Sequence, residues 1–275
     1  MAALLALLSS GMWGTADYLA GRMSRTRHVL VVLATSQTAG LALMLVVATI
    51  TGAWDAPTGY VPWAVLASLA GASGLACYYR ALAIGTMGVV SPIAALGVLV
   101  PLVVGVADGE RPAALQVAGI GIALVGVVLA SGPEVRGDAG WQPVLLAGAS
   151  AVLLGISLVA LARGSAGSVV MTMTVMRMVT VSLMVLAVVA MRWSMRVPAR
   201  DVPGLATVGL LDVGANLTFG LATTIGLLSL VSVFGSLYPV ATILLARALD
   251  GERLRRIQGV GVAFALAGAA AISAG

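Results

Sequence analysis

Apolar positions in this chain neither alternate nor keep to one helical stripe; they run together in long blocks. The blocks cover residues 2–21, 29–51, 61–80, 87–107, 113–131, 142–162, 168–191, 202–221, 226–248 and 256–274. Runs of roughly 18 to 22 apolar residues are long enough to cross a hydrocarbon layer of about 30 Å at about 1.5 Å per residue. Backbone groups in lipid must pair within their own segment, so the pattern predicts an all-α integral membrane fold with ten transmembrane helices. Turn and charge signals separate the blocks: Arg22 to His28, Trp54-Asp55-Ala56-Pro57, Asp108 to Pro112, Gly132 to Gln142, Arg192 to Pro203 and Asp250 to Arg256. None of these leaves room for a soluble domain. Met1 to Ser10 is apolar without a basic leader and reads as the start of the first span.

The two halves repeat. Asp108-Gly109-Glu110-Arg111 recurs as Asp250-Gly251-Glu252-Arg253, an offset of 142 that also maps Gln116 onto Gln258, Gly119 onto Gly261 and Gly126 onto Gly268. An offset of 141 maps Gly14 onto Gly155, Arg22 onto Arg163 and Gly85 onto Gly226, with one residue inserted between Gly226 and Asp250. The predicted organisation is a five-helix repeat at 1–132, a linker at 133–139 and a second five-helix repeat at 140–275. Five spans per half start the second half on the opposite side of the membrane, so the repeats are expected to be inverted. That architecture is common among secondary transporters, with the substrate site near mid-membrane. A duplicated scaffold without transport is the plainer alternative.

Composition agrees: 60% of residues are hydrophobic, 9% are charged, and mean hydropathy is +1.09. The net charge of +5 reflects arginine-rich loops rather than a nucleic-acid surface. With ten spans, one side holds Arg22, Arg25, Arg27, Arg80, Arg136, Arg192, Arg196, Arg200, Arg247, Arg253, Arg255 and Arg256, the other only Arg111 and Arg163. The first set is expected in the cytoplasm, with both termini outside. Cys77, the single cysteine, reads as packing, and His28 as a headgroup-facing loop residue. No phosphate loop, HExxH helix, GxSxG elbow or metal-spaced His/Cys set is present, so neither catalytic residues nor cofactor nor metal is expected.

The chain resembles the EamA group of the drug/metabolite transporter (DMT) superfamily. Trp13-Gly14, Tyr79-Arg80-Ala81-Leu82, the two Gly-Glu-Arg turns, the following Gln116 to Gly119 and Gln258 to Gly261, and Tyr238-Pro239 carry the likeness. The first half departs at Gly97, with Pro101 one turn later. The resemblance implies an exporter or exchanger of small metabolites, amino acids or drug-like cations in the inner (plasma) membrane. Many members of that group are described with cytoplasmic termini, the reverse of the arginine count.

A charge at bilayer depth costs roughly 2.5–3.5 kcal/mol or more. Three stand out: Arg177 in span 7, Asp212 in span 8 and Asp17 in span 1. Their repeat-matched positions are Ser36, Gly71 and Leu158, so the scaffold does not require them. Arg177 and Asp212 either pair as a structural lock or serve a substrate or proton site. Asp17 either snorkels to the interface or lines the pathway. Asn216 shares the helix face of Asp212, and Trp13 that of Asp17. Tyr78, Tyr238, Gln37, Ser91, Ser232 and Ser236 add polar groups that serve as helix–helix glue or as substrate contacts. Trp54, Trp63, Trp141 and Trp193 read as an interfacial belt. Pro92, Pro101 and Pro239 are expected to kink spans 4 and 9. The Asp-Gly-Glu-Arg turns are expected to cap spans 5 and 10. The substrate-site candidates are Arg177, Asp212, Asn216, Asp17, Trp13, Tyr78, Tyr238 and Gln37, facing a small molecule, the lipid bilayer and coupling protons. A passive channel and an intramembrane enzyme with converging carboxylates are the alternatives.

Overall fold

The computed structural model describes residues 1–24, 27, 29–84, 90, 93–130, 141–190, 197–250 and 255–275. His28, Ser91, Pro92, Trp193, the linker at 133–139, Glu252 and Arg253 lie outside the described residues. The helices are α1 (Ala2–Ser24), α2 (Val29–Ile50), α3 (Val61–Ile84), α4 (Leu99–Ala107), α5 (Ala114–Ala130), α6 (Trp141–Ala190), α7 (Val202–Ile225), α8 (Leu228–Gly235), α9 (Tyr238–Asp250) and α10 (Arg256–Ala274). Among the described residues, six helical stretches are long and apolar enough to cross a membrane: Leu30–Ile50, Thr58–Ala81, Trp141–Ala190, Ala199–Ile225, Leu228–Asp250 and Arg256–Ala274. Ile93–Ala107 and Ala114–Ala130 are shorter apolar helices. The chain is a multi-pass membrane protein. Trp54, Trp63 and Trp141 are exposed near helix ends, as interfacial residues should be.

Two of these stretches are not continuous. Fifty residues of α6 would reach about 75 Å if straight, more than twice the hydrocarbon thickness. Ser168 breaks it with extended backbone, φ −164° and ψ 112°. Its Oγ accepts the N–H of Met171 at 3.2 Å and starts the second arm. Gly164 then lies against Thr172, a contact that a straight helix could not make across eight residues. The other stretch divides between α8 and α9 at Ser236 and Leu237. Pro239 occupies the first turn of α9, and Pro101 that of α4 after the 3₁₀ turn Leu96–Val98. Pro239 therefore begins a helix where no intrahelical N–H bond is lost, whereas Pro101 lies inside the helical stretch Ile93–Ala107, just after its 3₁₀ turn.

A close seam joins α5 to α10. Gly119 lies on Gly268 and Ile272, and Gly126 on Gly261 and Ala265. Because the offset of 142 maps Gly119 onto Gly261 and Gly126 onto Gly268, each helix offers its partner the same pair of glycines. The helices run antiparallel, since the partner number falls as the first rises. A Cβ at Gly119 would come within 2.9 Å of the Gly268 carbonyl oxygen. Contacts repeat elsewhere: Gly14 packs on Tyr238, Ala241 and Thr242, and Gly155 on Gly97 and Val100, the matching positions. Small residues let backbones approach where lipid supplies no hydrophobic drive. Gly126→Val is expected to lower stability by about 3 kcal/mol or more. Gly121→Ala on the same helix, with nothing within 4 Å of a new Cβ, should be neutral or better; thermal unfolding in detergent compares the two.

Motif residues hold the helix ends. Gln116 Oε1 accepts the Ala113 N–H at 2.8 Å, and Gln258 Oε1 the Arg255 N–H at 3.0 Å, so each matched glutamine caps its own helix. Gly109 turns with φ +96°, a conformation suited to glycine. Glu110, however, does not cap α5. Its carboxylate accepts the N–H groups of Leu228 and, at 2.9 Å, Ser229 at the start of α8 in the other half. The partner is remote because the turn folds over the end of the bundle. Asp108 pairs with Arg163 at 2.6 Å on the same end.

Candidate functional site

Helix-end contacts sort into two groups. At one end Gly226 meets Ala2, Gly167 meets Tyr60, Gly275 meets Gln116, and Glu110 meets α8. At the other, Arg22 pairs with Asp250 at 3.4 Å, Arg27 with Asp201 at 2.6 Å, and Gly204 meets Met23. Side chains at the first end are packed: Ala6, Ser9 and Ser10 of α1, Phe219 and Ala222 of α7, and Val231 to Phe234 of α8 are buried. Toward the second, arginine-bearing end, Asp17 of α1 and Tyr79 of α3 are exposed.

The buried centre holds an ion pair with two amides. Arg177, on the second arm of α6, is 3% exposed. Its guanidinium lies 2.7 Å from Asp212 Oδ2 on α7 and also donates to Gln37 Oε1 on α2. Gln37 Nε2 reaches the same Asp212 oxygen at 3.4 Å. Asn216 Nδ2 donates to Asp212 Oδ1 at 3.1 Å and to the Asp212 carbonyl at 2.7 Å. Three helices thus converge on one carboxylate. The Arg177 stem passes Gly40 of α2, where a side chain would crowd Val213 and touch the stem. Of the two readings of Arg177 and Asp212, the pairing is present, with Gln37 added from a third helix.

Asp17 stands beside this network without a hydrogen bond or ion pair among the described residues, and within electrostatic range of Asp212. Tyr79 and Tyr238 lie within range of Asp17 and of Tyr78, and the Tyr78 and Tyr79 rings are 5.9 Å apart. These groups come from α1, α3, α7 and α9, and the exposed ones among them, Asp17 and Tyr79, mark the open side of the cluster. Trp13, one turn away, stacks at a tilt on Phe219 with centroids 5.6 Å apart, and Gly235 leaves room for both rings. This aromatic pair lies at the packed end of the opening.

Of the polar residues at span depth, Ser232 is fully buried and Ser236 donates to the Val233 carbonyl at 2.7 Å, a local bond. Tyr79 and Phe219 belong to the group and were not expected in it. Adjacent positions such as Tyr78 and Tyr79 point about 100° apart on a helix, so periodicity selects one of them. The Tyr78-Tyr79 doublet was the available signal.

A solved structure described only as "Crystal structure of protein" superposes with a TM-score of 0.79 at 21% identity, covering 98% of this chain and 95% of that one. It shares the fold. No curated protein matches the sequence. The EamA-like transporter family profile matches residues 1–132 and again residues 141–274. That is a family of transporters rather than enzymes, and by this match over nearly its whole length the chain belongs to the EamA-like transporter family.

Proposed function

We propose that the protein is a secondary transporter of ten spans, arranged as two inverted five-helix repeats, that exports or exchanges small metabolites by alternating access. The observation that carries this reading is the one-sided opening. A polar and aromatic group at mid-depth is reached from the arginine-bearing end and blocked by packed side chains at the other. A channel would need a continuous path; a carrier must be shut on one side at a time. The reciprocal antiparallel contact of α5 and α10 supports inversion. The sorting of helix ends supports ten crossings, because every contact named joins ends that ten alternating spans put on the same side.

In this reading the arginine-rich end faces the cytoplasm and the opening is the loading state of an exporter. Arg177, Asp212, Gln37 and Asn216 form the fixed wall, while Asp17, Tyr78, Tyr238 and Trp13 meet the substrate. Asp17 also takes the coupling proton, because a carboxylate without a fixed partner can bind a proton or a substrate group in turn. Purified protein should first be screened for ligands by thermal shift, alongside Asp212→Asn. A hit reconstituted in proteoliposomes is expected to show counterflow of label and uptake that stops when the pH gradient is collapsed. Equilibration without counterflow would identify a channel, and uptake indifferent to the gradient would remove the proton.

A further inference from the structure

We infer that the cleft between α2 and the second arm of α6, at the arginine-bearing end, takes one acyl chain of an anionic phospholipid whose headgroup meets Arg200. The cleft is a cavity of about 480 Å³ whose lining includes Ala34, Thr38, Val181, Val185, Val189 and Val197. A second cavity of about 420 Å³ shares Val181, Val185 and Val189 and carries the cleft down to Met178, next to Arg177 in the chain. Thr38 spends its hydroxyl on the Ala34 carbonyl at 2.7 Å, which leaves a largely apolar lining. Val185 and Val189 are exposed, as lipid-facing residues are.

The repeat shows what otherwise fills such a space. The offset of 141 maps Pro57 onto Pro198 and Val61-Pro62 onto Val202-Pro203, and under it the 3₁₀ turns Thr58–Tyr60 and Ala199–Asp201 coincide. It also maps Ala48 onto Val189, Ala56 onto Val197 and Ala34 onto Val175. Ala48, Ala56 and Val175 pack with Met171 at the opposite end of the same two helices, and Tyr60 sits among them, 5% exposed. The cleft is therefore the counterpart of that cluster. At the place of Tyr60 stands Asp201, which turns to Arg27 at 2.6 Å instead. One end carries its own aromatic plug; the other leaves the filling to the bilayer, since a void forfeits the contacts of its lining.

Length and charge choose the occupant. From Met178 to Val189 α6 rises about 16 Å, matching the roughly 15 Å of hydrocarbon in one leaflet. A single chain descending from headgroup level thus runs the whole cleft. Val197 lies at its mouth, and Arg200 follows within about 10 Å of chain. Arg27 already supplies the counter-charge of Asp201, whereas Arg200 Nε is 3.9 Å from that carboxylate and 81% of its side chain is exposed. One positive charge therefore projects beside the cleft at headgroup level and favours a lipid of net negative charge. A second copy of the chain fits less well, because a helix is too thick to enter a cleft between two neighbours. On their inner sides α2 and α6 carry Gln37 and Arg177, bonded to each other, so a lipid chain braces that contact from outside.

The test compares dioleoylphosphatidylglycerol with dioleoylphosphatidylcholine on the full-length protein in detergent, by native mass spectrometry and thermal unfolding. One phosphatidylglycerol per chain is expected to stay bound, about fivefold more tightly than phosphatidylcholine, and to raise the melting temperature by about 4 °C or more. Arg200→Gln should bring the two lipids level, and Arg200→Lys should keep most of the preference. Ala34→Phe and, separately, Val185→Phe put a ring in the cleft as Tyr60 does at the other end. Either should weaken both lipids by about tenfold or more and leave the lipid-free melting temperature unchanged or higher. Filling variants on two different helices keep the test decisive if one misfolds. Equal affinity for the two lipids, or a preference that Arg200→Gln leaves intact, would overturn the proposal. So would lipid binding untouched by both filling variants, or a dimer that both disperse, which would make the occupant a second copy. None of these readouts depends on transport.

Discussion

Replacing Arg177 with methionine is expected to lower the unfolding free energy by about 3 kcal/mol, toward the lower end of the range for breaking a buried ion pair. The guanidinium is the main counter-charge of Asp212, and its loss leaves a carboxylate held by two amides. The Asp212 side chain is 25% exposed, so water from the opening relieves part of the penalty and places the effect low in that range. The informative companion is Arg177→Met with Asp212→Leu. Removing both charges deletes the desolvation cost together with the attraction, so the double variant should recover at least half of the loss. Unfolding in mixed detergent measures all three proteins. A single variant as stable as the parent would mean that solvent already screens the pair. If the double variant regains stability but binds ligand less well, the pair acts as a wall that positions Asp17's surroundings.

The repeat explains how much of this was legible in the sequence. Membrane helices follow from hydropathy, and the break near Ser168 follows from two adjacent spans having to reverse. The offset of 142 paired Gly119 with Gly261 and Gly126 with Gly268. Sequence identity alone could not say that these glycines touch, nor that they do so crosswise. Charges at span depth were visible because lipid makes them costly, which is why Arg177, Asp212 and Asp17 emerged together. Their partners were less visible. Gln37 lies 140 residues from Arg177, and a glutamine in an apolar run has many uses as interhelical glue. Nothing local distinguishes Asp17 from a snorkelling carboxylate; its direction is set by how α1 packs on α7 and α9.

Glu110 shows the same limit from the other side. A Gly-Glu-Arg turn just ahead of a helix invites the reading that glutamate caps that helix, yet Gln116 already does so. The carboxylate is free to reach Leu228 and Ser229. It tethers the second half's α8 to the turn between α4 and α5, at the packed end of the pathway. Local pattern names the capping chemistry and cannot name the recipient. That recipient matters for transport, because α8 is the short helix that fills the closed end and stops at Ser236, ahead of Tyr238.

Glu110→Ala is therefore expected to loosen the closed end more than the rest of the fold. Two hydrogen bonds to a charged acceptor contribute about 1.5 to 3 kcal/mol each, and the positive end of α8 loses its counter-charge. If about 3 kcal/mol of that favours the closed arrangement over its open counterpart, the population ratio moves by roughly a hundredfold. Ser232 reports on this. It is fully buried on α8 and its hydroxyl has no hydrogen-bond partner among the described residues, an arrangement that costs stability while the end is shut and is relieved when water enters. In a Cys77→Ser background, Ser232→Cys should resist a membrane-impermeant maleimide, and adding Glu110→Ala should speed labelling by at least about tenfold. Glu110→Gln, which keeps one acceptor but turns an amide toward the other N–H, should fall between. Faster labelling with little change in melting temperature identifies Glu110 as a latch on the closed end. A fall in melting temperature with Ser232→Cys still protected would instead make it a structural cap, and alternating access would have to release this end by another contact.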